Sequence, residues 1–447
     1  MFLKRKLYSK LLDWKSSDRR KPLIIRGARQ VGKSTLVREF SGEYASFIEI
    51  NLERKEDLEL FRLKSVRELL EVLLLRKGLS LDQKPLLLFI DEIQESPEAI
   101  RMLRFFYEDY PELHVICAGS LLEFAIADVT SFPVGRVQQL VLHPFDFEEF
   151  LYATGNENVV EILKSIPFKP HFYETILKLF HQYVIIGGMP EIVVNFIKNS
   201  STSGLNSIYG EIWQSYIDDI EKYGKNLTQK NVLRHVVQTA AYEKDRITMG
   251  GFGNSDYKSR EVGEALRALD KSGLIRLIYP ITSTQIPVWV DHSRKPRLQF
   301  LDTGLLNHAL GIQSKLIGLP DLSDVYRGRI IQHAVYQQLQ AQYSEPDHQL
   351  HFWVREKTNT TSEVDLIYQQ DQYLVPIEVK SGPKGKLRSL HQFMERADHT
   401  RALRLLANTY LEEEVKTTGG KYFTLYNLPY FLASGIPEYM DWILSKK

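Results

Sequence analysis

The 447-residue chain contains one cysteine, Cys117. A single thiol excludes a disulfide framework and a cysteine metal cluster. It lies inside Val115-Ile116-Cys117-Ala118, a run that predicts a buried core thiol rather than a reactive one. Net charge is also scarce. Lys and Arg number 57 and Asp and Glu 56, which leaves +1. No global field draws nucleic acid, so any such binding must come from a local patch. No stretch of 18 apolar residues occurs, which excludes a membrane-spanning helix. The N-terminal Met-Phe-Leu-Lys-Arg-Lys lacks the apolar run of a secretion signal, so a cytoplasmic location is expected. The twelve histidines have neither H-x-x-x-H nor His/Cys ligand spacing, so no zinc site is expected.

The chain is too long for one core, and two to four domains are expected. Its most informative stretch is Gly27-Ala28-Arg29-Gln30-Val31-Gly32-Lys33-Ser34, followed by Thr35. This is a complete G-x-x-x-x-G-K-[ST] phosphate-binding loop. Gly27 and Gly32 let the backbone turn back so that successive N–H groups point at a phosphate. Lys33 reaches the β- and γ-phosphates, and the Ser34 hydroxyl can hold Mg²⁺. Leu23-Ile24-Ile25 before the loop has the length of a buried parallel strand. Thr35 to Phe40 after it reads as a helix whose N-terminal dipole faces the anion.

A second piece lies 58 positions beyond Lys33, where the apolar run Pro85 to Ile90 ends in Asp91-Glu92. Asp91 can position Mg²⁺ through its water, and Glu92 can orient or deprotonate an attacking water. The other reading of Glu92 is a helix N-cap carboxylate. Between the two pieces, Ser46 to Asn51 reads as a strand and Ser65 to Lys77 as a helix. Pro97 opens a helix to about Tyr110, with Ile100, Leu103, Phe106 and Tyr107 on one face. Leu113 to Ala118 is the next buried strand. It ends in Gly119-Ser120, where Ser120 is either a γ-phosphate sensor or a plain turn residue. Arg136 follows on a loop, as a transition-state finger in cis or in trans, or as a surface arginine. Asp146 and Glu149 form a capping box for a new helix, which ends the core near residue 145.

The ordered pieces Gly-Ala-Arg-Gln-Val-Gly-Lys-Ser, Phe-Ile-Asp-Glu-Ile-Gln, Ala-Gly-Ser, Gly-Arg-Val, Pro-Phe-Asp-Phe-Glu-Glu-Phe and Gly187-Gly188-Met189-Pro190-Glu191 carry a resemblance. Together they resemble prokaryotic AAA-type ATP-binding proteins that carry a C-terminal domain of unknown function. The resemblance covers almost the whole chain. It implies ATP and Mg²⁺ as cofactors and a helical lid after the core. It also implies that Gly188-Met189-Pro190 sits near the nucleotide base or sugar. The residues alone give only a Gly-Gly turn before a helix starting at Pro190.

From about Leu227 to Phe300, helices at Asn231 to Tyr242 and Arg260 to Asp270 precede two strands, Leu274 to Tyr279 and Arg297 to Leu301. Gln285 to Val290 lies between those strands. This order reads as a winged-helix module, and the resemblance supports it. Such a module can place its second helix in the DNA major groove. The exposed face of that helix would carry the mixed charges Arg260, Glu261, Glu264, Arg267 and Asp270, which argue against tight phosphate binding. They favour a packing role that relays lid motion.

Farther on, Ser362 to Tyr368 and Tyr373 to Lys380 read as a hairpin joined by Gln369 to Gln372. Glu378 and Lys380 are two apart and share a face. Asp365 and Glu378 would hold Mg²⁺, and Lys380 would orient the water or stabilise the developing charge. This resembles the PD-(D/E)XK nuclease fold of Holliday-junction resolvases, with Lys384, Lys386 and Arg388 available for phosphates. One position departs from the pattern. The preceding helix offers Gln332 where an acidic ligand is expected, and a neutral amide is a poor Mg²⁺ ligand. Glu363 is a substitute candidate. An active nuclease, an inactive docking domain and plain hairpin charges all remain open.

The expected architecture is α/β multidomain. Residues 1–145 form a P-loop core with a parallel sheet, 146–222 a helical lid, 223–310 a winged-helix module and 311–447 a nuclease-like domain. Expected partners are ATP or ADP, DNA or RNA at the C-terminal domain, and a second copy of the chain or another protein.

Overall fold

The computed structural model describes the chain except residues 1–2, 64, 81–84, 121, 124, 126–131, 200–203, 223, 225, 314–323, 358–359, 383–386 and 447. Lys384 and Lys386 lie outside the described residues. The rest divides into two compact units. The first holds residues 1–144 with 271–273 and 343–348. The second holds 145–270, 274–342 and 349–447.

In the first unit five strands form a parallel sheet: β1 (Leu23–Arg26), β2 (Ser46–Asn51), β3 (Leu86–Asp91), β4 (His114–Ala118) and β5 (Gln138–Val141). Their order is β2-β3-β4-β1-β5. All of β3 and β4 is buried, as expected of central parallel strands covered on both faces. At the edge, β2 alternates buried and half-buried positions. Helices α1 (Leu7–Ser16), α2 (Lys33–Phe40), α3 (Val66–Lys77) and α4 (Pro97–Asp109) accompany the sheet. Local chemistry sets their ends. Ser65 caps α3 by accepting from Glu68 N–H, and Gly78 closes it in the left-handed region. Ser96 caps α4 ahead of Pro97. Leu69 and Leu73 of α3 and Ile100, Leu103 and Phe106 of α4 share one core with Ile24, Leu88 and Ile90. Each such side chain contributes about 1.5–3 kcal/mol by leaving water.

The second unit opens with helices α5 (Phe147–Ala153), α6 (Glu157–Leu163), α7 (Tyr173–Ile186), α8 (Pro190–Asn199) and α9 (Leu205–Glu221). The Asp146/Glu149 capping box starts α5. Then come α10 (Leu227–Ala240) and α11 (Ser259–Lys271). Asn226 caps α10 through Gln229 N–H, so this helix begins four residues before the expected Asn231. Strand β6 (Ile275–Ile278) pairs antiparallel with β8 (Arg297–Phe300), and the short β7 (Pro280–Ile281) lies between them in sequence. On α11, Asp270 is not on the exposed face. It is half-buried, and burial pushes its carboxyl up to about 6.

After α12 (Thr303–Ala309) and α13 (Asp324–Gln340) come β9 (His351–Lys357), β10 (Thr360–Gln370), β11 (Tyr373–Val379), β12 (Arg401–Leu406), β13 (Leu411–Lys416) and β14 (Tyr422–Pro429). The sheet order is β13-β14-β12-β11-β10-β9-β7. Because β7 joins its edge, this sheet takes strands from both sides of residue 310. Helix α14 (Arg388–Met394) packs on it, placing Leu390, Phe393 and Met394 in one core with Trp353 and Val364. The chain finishes in α15 (Ile436–Ser445).

At the heart of this unit Asp302 is fully buried. It accepts from Gly188 N–H at 2.6 Å, Leu305 N–H at 3.0 Å and Gln337 Nε2 at 3.2 Å. One carboxylate thereby ties together the end of α7, the start of α12 and the middle of α13.

Candidate functional site

The phosphate-binding loop runs from the end of β1 into α2. Gly27 has φ +146°, and a Cβ there would stand 2.3 Å from Leu142 O, so only glycine fits. Gly32 has φ +93° and leads directly into α2. Ala28 and Val31 are buried, Arg29 is half-buried, and Gln30 and Thr35 are exposed. Lys33 is 7 % exposed. Its ammonium donates to Gly27 O at 3.0 Å and Ala28 O at 2.9 Å. Burial lowers its pKa to about 8, against the pull of Glu92 and Asp91.

Since β4 lies between β1 and β3, the loop, Gly119-Ser120 and Asp91-Glu92 emerge from neighbouring strands. Asp91 is 3 % exposed and accepts the Ser34 hydroxyl. Burial raises its pKa, and the Ser34 hydrogen bond opposes that rise. Glu92 takes the left-handed backbone at φ +52° and accepts from Gln94 Nε2 at 2.6 Å. Gly119 leaves room for that amide, because a Cβ there would stand 2.6 Å from Gln94 Oε1. The sequence reading missed Gln94, although it stands in the same Asp-Glu-Ile-Gln run.

Two more residues brace the loop without any local signal in the sequence. The buried Arg5 donates to Val31 O at 2.9 Å and to His143 O at 2.5 Å. Gly273, at φ +78°, lies against Ala28, and a Cβ on it would stand 3.2 Å from the Ala28 Cβ. Arg136 is 44 % exposed and pairs with Glu108 at 3.0 Å, at the end of α4. Gly188 and Pro190 belong to the second unit. There Gly188 O also accepts from Phe145 N–H at 2.7 Å.

The second acidic set lies in the C-terminal sheet. One step beyond the Leu366–Ile377 pair, β10 presents Asp365 and β11 presents Glu378. Asp365 accepts Gln332 Nε2 at 2.7 Å on one oxygen and Val379 N–H at 2.9 Å on the other. Arg297 stands 3.7 Å from Asp365 and pairs with Glu363. Arg246 pairs with Glu363 at 3.2 Å and with Glu356. Lys380 meets Glu378 Oε1 at 2.5 Å, while Glu378 Oε2 is buried without a partner. Burial, and then the charge of Asp365, raises Glu378 to about 7.

The Mg²⁺ expectation at Asp365 and Glu378 does not fit this donor set. Both Asp365 oxygens have donors, Gln332 presents an N–H, and cations already flank both carboxylates. Glu363 is likewise held between two arginines. Among the described residues no group of three or more His, Cys, Asp or Glu side chains is placed to hold a metal ion. The Ser34–Asp91 contact is different. It offers a hydroxyl and a carboxylate beside a phosphate loop, a combination that fits a phosphate-bound Mg²⁺.

Residues 19–151 match the family model of an AAA domain. This part of the chain is similar to AAA domains. Beyond the AAA domain, residues 177–316 and 327–431 match two domains of unknown function, DUF8612 and DUF4143. Comparison with curated proteins gives no match. Among solved structures, the Walker-type ATPase PABY2304 of Pyrococcus abyssi is 15 % identical, with a TM-score of 0.46. The match covers 69 % of this chain and 96 % of that one. Unliganded Pif1 from a Bacteroides species is 16 % identical, with a TM-score of 0.21, over 37 % of this chain and 50 % of that one. Among the described residues no helix is long and apolar enough to cross a membrane.

Proposed function

We propose that the chain is an ATP-hydrolysing AAA-type switch whose C-terminal domain works by docking a partner rather than by cutting nucleic acid. The observation that carries the ATP half is the Ser34–Asp91 hydrogen bond beside the buried Lys33. The loop N–H groups from Gly27 to Thr35 cradle the phosphates, and Lys33 turns from its own loop carbonyls to the β- and γ-phosphates. Ser34 and Asp91 would hold Mg²⁺, which neutralises phosphate charge when bound. Glu92, held by Gln94, takes the proton of the attacking water, and Ser120 stands at the end of β4 as its sensor. The resemblance assigns Gly188 and Pro190 to the base or sugar. Residues 146–222 serve as a lid and 223–310 as a winged helix that relays its motion.

ATP turnover by Lys33→Ala at the wild-type rate would sink the ATP half. Arg136 leaves Glu108 to complete a neighbour's site. Mixing Arg136→Ala with Lys33→Ala protein restores turnover if the finger acts in trans, and leaves both inactive otherwise.

A second reading, nuclease activity through Asp365, Glu378 and Lys380, is favoured by one observation: the Lys380–Glu378 pair stands beside Asp365. Incubation of single-stranded, duplex and branched DNA or RNA with Mg²⁺ or Mn²⁺ separates the readings. Docking predicts intact substrates with and without ATP. Cleavage that Glu378→Ala abolishes establishes the nuclease.

A further inference from the structure

We infer that Arg246 and Arg297 supply the positive charge at Asp365 and Glu363, making this cluster a metal-free ionic joint that takes no divalent cation. The two arginines are brought together by an isolated β-bridge between them. Glu363 receives one guanidinium on each carboxylate oxygen. Arg297 is fixed from three further directions. Its guanidinium donates to the Asp365 backbone O at 3.2 Å, stands 3.7 Å from the Asp365 carboxylate, and lies over the Phe352 ring at 4.4 Å. A planar fork with five donors suits such a site far better than a hydrated ion does. Gln332 completes the arrangement by donating an N–H to Asp365, where a metal ligand would have to offer an oxygen.

Adding a divalent ion would place two more positive charges beside Arg297 and Lys380. It would also compete with the hydrogen bonds Asp365 already accepts on both oxygens. The one orphaned oxygen, Glu378 Oε2, is a single ligand atom, too few to hold an ion by itself. The joint instead links β8 to β10, and so pins the two-stranded β6–β8 sheet to the seven-stranded one.

The test uses the full-length, nucleotide-free protein. Mn²⁺ binding, followed by electron paramagnetic resonance, should be the same in stoichiometry and affinity for wild type and for Asp365→Asn/Glu378→Gln. Loss of one bound Mn²⁺ in the double variant overturns the inference. Arg297→Gln should lower the unfolding midpoint of the second unit by several degrees. That drop should shrink when Glu363→Gln removes the charge left unpaired. An Arg297→Gln protein as stable as wild type overturns it equally. ATP turnover of Arg297→Gln, assayed alongside, separates failure of the switch reading from failure of the joint.

Discussion

Asp91–Glu92 and Asp365–Glu378 offer the same ingredients: two carboxylates in or just beyond strands and a lysine nearby. Their surroundings differ. In the first unit Asp91 faces a hydroxyl, Glu92 faces an amide, and the lysine rests on backbone carbonyls. Lys33 can turn to a phosphate, and Asp91 to its Mg²⁺, without breaking an ion pair. In the second unit the lysine is spent on Glu378, and Arg297 closes on Asp365. A set of residue types therefore does not define a metal site. What neutralises the carboxylates decides whether an ion has anything to do.

Glu92→Gln probes this contrast hardest. It should lower phosphate release at saturating ATP by roughly 10²–10⁴-fold with little change in ATP affinity, whereas Glu378→Gln should leave both unchanged. Equal losses in the two variants would erase the distinction.

A smaller effect tests whether the second unit has its own keystone. Asp302→Ala removes the acceptor of Gly188 N–H and Leu305 N–H inside a dry core. Orphaning these donors should cost about 2–5 kcal/mol in denaturant unfolding. Asp91→Asn, on the other unit, should leave that transition in place.

The finest probe is a proton count at Lys33. Its pKa of about 8 lies below that of a free lysine, and a bound polyphosphate favours the ammonium. ATP binding at pH 8.5 should then take up a fraction of a proton, and at pH 6.5 almost none. Calorimetry in buffers of different ionisation enthalpy measures this, and Lys33→Arg should abolish the uptake. For stability the sign is fixed by the same shift. The buried lysine costs stability below pH 8, and that cost fades as pH rises toward 10.5.

What could be read from the chain follows from how local each signal is. The phosphate loop, the Asp91–Glu92 strand end and the Asp146 cap lie within a few residues of the backbone they shape. Each was visible in the sequence. The Asp365, Glu378 and Lys380 set was visible as well, because a hairpin is a local structure. Its meaning was not, since Arg297 reaches Glu363 across 66 positions. Arg5 reaches His143 across 138, and no pattern in Lys-Arg-Lys points there. The expected start of α10 was late because hydrophobic periodicity marks a helix's buried turns and not its Asn cap. The expected exposure of Asp270 failed because a helical wheel records which face is polar, not what packs over its last turn.

The first unit is discontinuous in sequence. Val141 N–H of the edge strand β5 donates to Ser344 O at 2.8 Å, Lys10 donates to Ser344 Oγ at 2.5 Å, and Gly273 rests on Ala28 of the loop. A fragment cut at residue 144 would keep the phosphate loop and Asp91–Glu92 and lose these three attachments. Its sheet edge would be bare and its phosphate loop unbraced. Such a fragment should aggregate through β5 and bind ATP weakly. Inheritance of the motifs alone would therefore not pass on the braced loop: residues more than a hundred positions downstream have to travel with them.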